Sequence, residues 1–399
     1  MKLSVHASTH PGFVLPVSDA LLMSGHMAGI CYMKDDFDTI VSEPEEKTLR
    51  RVEGTVKSGH HSTSGHASYT FIIEGMPKIV AMLLNNEHDY ETSEKSARYT
   101  VMSALATIDE AEVDVDQASV EEKRIYEKWT KILEEVISRK YPEIKPATVN
   151  KLALENARYF ISVFTPATTM GHTLSLRQAN YIIGFCESMV AKPSNNPFIN
   201  RLKPYLTDLA AQLKKFVNVD KLRDNKGREF SLFAKRDRGV SWGEVYSTNY
   251  YGTFSQLAQA QRHRTLWYEM KIPTPGTAEY YVPPILLDDD KLREEWLADM
   301  DSLRFNYPQG MLIQINERGT LEAFCLKCHE RLCGAAQLEI CMQTKKTLDH
   351  YMIDTLDRMD TDIYQEIGGF VGKTKCQFGC YTCDRPCPLG PKHAFDRLI

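Results

Sequence analysis

The run from Gln259 to Glu269, QAQRHRTLWYE, sets Arg262, His263 and Arg264 side by side at the end of an apolar, helix-like stretch. Two guanidiniums and an imidazole this close repel one another unless an anion joins them. The planar forks of arginine suit phosphate and carbonyl oxygens, so a nucleotide-like ligand fits; a solvated face paired with nearby acids is the plain alternative. A second group, ETSEKSARY from Glu91 to Tyr99, puts Glu94, Ser96 and Arg98 at alternating positions. An extended backbone would point all three the same way, as a phosphate-holding set, whereas a helix would fan them out into a cap and a surface pair. A third stretch, HERLCGAAQLEI from His329 to Ile340, surrounds Arg331 with small and apolar residues. Burying that guanidinium is costly unless Glu339, another chain element or a ligand anion neutralises it. Last, CQFGCYTCDRPC sets Cys376, Cys380, Cys383 and Cys387 within twelve residues. Four thiolates at that spacing fit a structural zinc, with an iron–sulfur cluster or free thiols as the other readings.

These residues sit in a chain of 399 residues, 43% hydrophobic and 25% charged, enough for about two or three domains. A net charge of −5 argues against wrapping a nucleic-acid polymer. No run of about 18 apolar residues and no apolar leader is present, so no membrane partner and a cytoplasmic protein are expected. The spacing of Ile125, Trp129, Ile132, Leu133 and Val136 predicts a helix over Ser119 to Ile137. Further helices are expected over Leu174 to Val190 and Leu321 to Met342, and strands over Ala67 to Ile73, Leu312 to Ile315 and Tyr280 to Val282. The loop-like stretches KPSNNP (192–197) and DKLRDNKGR (220–228) suggest a division near residue 215. A strand-like run, a helix-like run and a polar segment centred on a His recur on its two sides, at 67–98 and 246–270, which suggests a tandem repeat.

Taken together, the motifs resemble the flavin-dependent thymidylate synthases, the ThyX family. That family's signature runs Arg-His-Arg, two residues, Ser, one residue, Asn-Glu, one residue, Ser, one residue, Arg-Tyr. Here the signature is split. Gln259, Arg262, His263 and Arg264 match its first part, while Trp267, Glu269 and Met270 stand where Ser, Asn and Glu would be. Glu94, Ser96, Arg98 and Tyr99 match the second part, while Asn86, Glu87 and His88 replace the Arg-His-Arg. GHHSTSGHASYTFIIEG (59–75) resembles the family's His-x-Ser-x-x-Glu-His segment, with Gly65 in place of the Glu and His66 kept. ENARYF (155–160) resembles its Glu-x-Ala-Arg segment. LSLRQANY (174–181) resembles its Asn-x-Arg helix, keeping Arg177 and replacing Asn with Ser175. RLCGAAQLEI (331–340) resembles the activating Arg followed by Ala-Gln-x-Glu-Ile, and Cys186 falls at the matching position of the first copy.

The resemblance implies a mixed α/β (α+β) fold: two tandem ThyX-like units of sheet flanked by long helices, 1–215 and 216–360, followed by a Cys-rich tail, 361–399. It implies FAD as cofactor, methylenetetrahydrofolate and NADPH as cosubstrates, and dUMP as the acceptor of a one-carbon unit, giving dTMP. Arg331 would be catalytic, holding the pyrimidine carbonyl edge. Glu94, Ser96, Arg98, Gln259 and Arg262 would bind substrate, and His66, Arg177, Arg262, His263 and Arg264 the flavin. Each copy has lost the half that the other keeps, so one composite site per chain is expected, in a homodimer acting as a pseudo-tetramer. Hydroxymethylation of dUMP, or a non-catalytic nucleotide-binding scaffold, are the competing readings.

Overall fold

The computed structural model describes residues 1–8, 17–95, 117–166, 168–217, 229–379, 381, 383 and 387–399. Its elements, in chain order, are β1 (Lys2–Ser8), α1 (Val17–Tyr32), α2 (Phe37–Val41), α3 (Glu45–Lys57), β2 (Ser68–Met76), α4 (Lys78–Asn86), β3 (Glu91–Glu94), α5 (Gln117–Lys140), α6 (Pro146–Ala157), β4 (Thr168–Ser175), α7 (Leu176–Ala191) and α8 (Pro197–Leu213). There follow β5 (Val245–Thr253), α9 (Phe254–Ala260), β6 (Trp267–Met270), α10 (Asp290–Ser302), β7 (Leu312–Thr320), α11 (Leu321–Arg331), α12 (Leu338–Asp357) and α13 (Thr361–Gly368). This is the expected mixed α/β class, with two sheets flanked by helices.

Tertiary contacts divide the chain into two units that do not follow chain order: Met1–Lys95 with Pro166–Phe230, and Ser96–Thr165 with Ser231–Ile399. In the first, an antiparallel sheet runs β1-β2-β4-β3. Along β2 alternate residues Tyr69, Phe71 and Ile73 are buried, as period-two patterning requires of a half-buried strand. In the second, the sheet runs β5-β7-β6, also antiparallel. The sequence-predicted helix 119–137 is α5, whose Ile125, Trp129, Leu133, Val136 and Ile137 are buried; the Trp129 indole N–H donates to Asp299 of α10 at 2.7 Å.

The two sheets share one register. Ser175, at the end of β4, caps α7 by accepting from Gln178 N, and Thr320, at the end of β7, caps α11 by accepting from Ala323 N. Ser68 of β2 pairs with the first cap residue and Val245 of β5 with the second. On the other edge, Glu91 of β3 and Trp267 of β6 each pair with the residue two before the cap, Thr173 and Arg318. The register therefore matches Glu94 with Met270 and Ser93 with Glu269, the correspondence that the motifs give. Within the second unit, the segments opened by Arg158 and Arg304 also pair with each other: Val163 N–H donates to Tyr307 O at 3.0 Å and Gln309 N–H to Ile161 O at 2.9 Å, about a bridge of Ser162 with Pro308.

Two expectations fail. Leu321 to Met342 is two helices, α11 and α12, because the backbone turns at 332–337 and distant residues satisfy its carbonyls: Lys375 N–H donates to Leu332 O, and the Arg397 guanidinium to Gly334 O and Ala336 O. Tyr280 to Val282 is not a strand; Tyr280 makes a single bridge with Met311.

Candidate functional site

Arg331 is the last residue of α11, where a cation also meets the negative end of the helix dipole. Its Nε–H donates to His263 Nε2 at 2.7 Å and an Nη2–H donates to the Gln259 carbonyl at 3.0 Å. Both acceptors come from the turn that ends α9, in which Arg262 N–H also bonds Gln259 O. His263 is buried, and its imidazole is pushed down to about 2 by burial first, then by the charges of Arg331 and Lys327. It is therefore neutral at ordinary pH, with a lone pair on Nε2 for the guanidinium.

Gln337, just before α12, gathers a second set. Its Oε1 accepts from Arg158 Nη2 and from Gln259 Nε2, and its Nε2 donates to Tyr159 Oη. Tyr159 O–H donates to Glu339 at 2.8 Å, and Glu339 also accepts from the Thr253 N–H at 2.9 Å and the Thr253 hydroxyl at 2.8 Å. Burial raises the Glu339 carboxyl above its ordinary value against those bonds, and Tyr159 is raised too, by burial and by Glu339. Gln259 Oε1 is buried, with no hydrogen-bond donor among the described residues. A small pocket of about 60 Å³ opens beside this network, bordered by Glu155, Tyr159, Tyr281, Gln337, Glu339 and Arg397. Arg158, Tyr159 and Gln337 lie in segments that the motifs single out, but their meeting is invisible in sequence because Gln337 is 179 positions from Arg158.

Beneath His263 lies a buried ion pair: Lys327 Nζ stands 2.6 Å from Glu317, both side chains wholly buried. Tyr246 and Tyr250 donate to the same carboxylate at 2.7 and 2.9 Å. Of the remaining sequence-predicted residues here, Arg262 is exposed and Arg264 half-buried. Glu269, where the family has Asn, is held below its ordinary value: burial opposes this, and hydrogen bonds from Arg238 and Arg318 outweigh it.

In the first unit, Glu94 is paired with Lys78 at 2.6 Å and accepts from Asn85. Ser96, Arg98 and Cys380 lie outside the described residues. Arg177 donates to Tyr181 Oη at 3.0 Å and lies over its ring. It borders an open pocket of about 460 Å³ with Gly65, Ser175 and Gln178, and His66, next to Gly65 in the chain, is exposed. Asp89 and Glu91 share that border, so the pocket suits an uncharged group better than an anionic one. Cys186, eleven residues past its helix cap as Arg331 is past its own, is fully buried with its thiol pushed up by burial.

In the tail, Cys376 and Cys383 are exposed and Cys387 is half-buried. Among the described residues, no three His, Cys, Asp or Glu side chains form a metal-ready group. No helix of the described residues is long and apolar enough to cross a membrane.

Comparison with known proteins agrees with the motifs over part of the chain. Residues 18–187 match the family model "Thymidylate synthase complementing protein". The flavin-dependent thymidylate synthase of Pyrococcus furiosus is 28% identical over 155 residues, 38% of this chain and 59% of that protein. That of Thermococcus onnurineus is 30% identical over 154 residues, 38% of this chain and 58% of the relative. Over that part the chain resembles the ThyX family. It spans about three fifths of the length of the curated relatives it matches. Among solved structures, ThyX from Helicobacter pylori with FAD and dUMP aligns over 56% of this chain and 96% of its own, at 17% identity and a TM-score of 0.34. The UMP/dUMP methylase PolB from Streptomyces cacaoi, bound with 5-Br dUMP, aligns over 55% and 92%, at 15% identity and a TM-score of 0.33. Superpositions this loose do not bear on function.

Proposed function

We propose that this protein transfers a one-carbon unit from methylenetetrahydrofolate to the uracil 5-carbon of dUMP, giving dTMP, with FAD as redox cofactor and NADPH as reductant. The observation that carries the reading is Arg331, held at the end of its helix by His263 Nε2 at 2.7 Å and the Gln259 carbonyl at 3.0 Å. A uracil edge offers two carbonyl oxygens, so a guanidinium held in one place complements it. Arg331 then stabilises the negative charge that gathers on the carbonyl oxygen as the ring reacts at carbon 5. Gln259 and Arg262 anchor the nucleotide from the same turn, together with Glu94, Ser96 and Arg98 from the other half of the signature. Arg177, His66, Arg262 and Arg264 would hold FAD, which, once reduced by NADPH, would supply the hydride for the transferred carbon. No protein nucleophile is needed: Cys328 and Cys341 are buried thiols whose ionisation burial opposes.

The shared sheet register supports a second part of the proposal, that the chain is a tandem duplication whose copies have decayed in complementary ways. With Cys186 where Arg331 stands, the first copy lacks the activating group; with Trp267 and Met270 where Glu91 and Glu94 stand, the second lacks the phosphate-holding half. One productive site per chain follows, in a homodimer. Counting tightly bound FAD on purified, reconstituted protein tests this: one flavin per chain is expected, and two would contradict the decay of one pairing. In the tail, Cys376, Cys380, Cys383 and Cys387 are proposed to hold a structural zinc. Elemental analysis should find one zinc per chain, lost in the Cys380→Ser/Cys383→Ser variant; unchanged content in that variant would refute it.

A further inference from the structure

His263 belongs to the Arg-His-Arg run, and the resemblance would place it on the flavin. Its surroundings give it another task, and this assignment rests on the proposed reaction. We infer that His263 is a positioning residue for Arg331: its neutral imidazole accepts the guanidinium's Nε–H and so fixes the plane that meets the substrate.

Three features carry this. The Arg331 Nε to His263 Nε2 bond is 2.7 Å, and the bond from Arg331 Nη2 to Gln259 O, 3.0 Å, is made to the same turn. Two acceptors on one rigid turn, one at Nε and one at Nη2, leave the planar guanidinium a single orientation, which a lone acceptor would not. His263 is only 9% exposed, so little of its surface is open to an outside ligand. An imidazolium could not accept the bond, and burial first, then the charges of Arg331 and Lys327 from α11, keep the ring neutral; Lys327 is itself paired with Glu317 of β7. Arg262 and Arg264 flank it in the chain. The pairing joins residues 68 positions apart, one from each of two motifs that sequence reading treats separately.

Replacing His263 by Gln keeps an uncharged acceptor near the position of Nε2, and replacing it by Leu keeps bulk without one. In a protein that forms dTMP, His263→Leu is expected to lower kcat roughly 100-fold, the scale of misplacing one charge-stabilising donor, with the Kd for dUMP changed less than about threefold and FAD content unchanged. His263→Gln should recover kcat to within about tenfold of wild type. In an Arg331→Lys background, the His263→Leu change should cost less than about twofold more, since two residues acting as a unit are not additive. Loss of FAD from His263→Leu with normal kcat per bound flavin would make His263 a flavin ligand and overturn the inference; so would equal losses in the Gln and Leu variants. Failure of the wild type to make dTMP would overturn the reaction and not this contact. The contact is read separately by nitrogen NMR of histidine-labelled protein: the His263 ring should stay neutral from pH 8 to about pH 4, and titration near its ordinary value would refute the inference.

Discussion

An arginine at the end of a helix ordinarily swings with its long side chain; Arg331 does not, because His263 and the Gln259 carbonyl hold two of its N–H groups. The same burial that makes His263 an acceptor makes it acid-sensitive. Its folded pKa, about 2, lies below the ordinary 6.5, so between those values the unfolded chain binds a proton that the folded chain refuses. Stability must therefore fall as pH drops below about 6.5. Urea midpoints at pH 7.5 and pH 5 should differ more for wild type than for His263→Gln; equal differences would contradict the linkage. Lys327 gives a second residue-scale prediction. Lys327→Met would leave Glu317 charged and unmatched in the core, and should cost about 3–5 kcal/mol in chemical denaturation. Of these residues, His263 and Arg331 were legible as chemistry in the sequence, but not as a pair. Glu317 and Lys327 were not legible at all, because an acid and a lysine on a sheet and a helix read as solvated until the fold buries both.

Period and capping made most elements legible: α5 from its four-residue apolar spacing, and α7 and the strands β2 and β7 from length and alternation. The break between α11 and α12 was not, since no Pro interrupts 321–342 and the groups that satisfy the turn, Lys375 and Arg397, lie far along the chain. That break matters, because it ends one helix at Arg331 and starts the next after Gln337. Arg397→Ala should loosen the turn and lower thermal stability, while Arg397→Lys, which cannot fork to two carbonyls, should recover little of the loss. Gly310 marks another tight place, beside the paired segments around Ser162 and Pro308. A Cβ there would meet the Met300 methyl and the Tyr159 Cβ at 2.9 Å each, so Gly310→Ala should destabilise by about 1–3 kcal/mol, read as a lowered urea midpoint.

At the scale of the whole molecule, motifs recur along the sequence, and the shared register of the two sheets, which matches Glu91 with Trp267 and Glu94 with Met270, supports the proposed repeat. The contact units were less legible. Residues 117–165 join the second unit through buried side chains such as Trp129 against Trp296, while the sequence places them ahead of the loops that suggest a boundary. If one chain supplies both halves of the signature, Ser96→Ala and Arg262→Ala proteins, each inactive, should stay inactive when mixed; recovered turnover would mean that the halves come from different chains. The most direct measurement is dTMP formation by purified, FAD-loaded protein given dUMP, methylenetetrahydrofolate and NADPH, with Arg331→Ala beside it. The account predicts dTMP from the wild type and a loss of at least about 100-fold in the variant. No dTMP from FAD-loaded wild type, or equal turnover in both proteins, would contradict it.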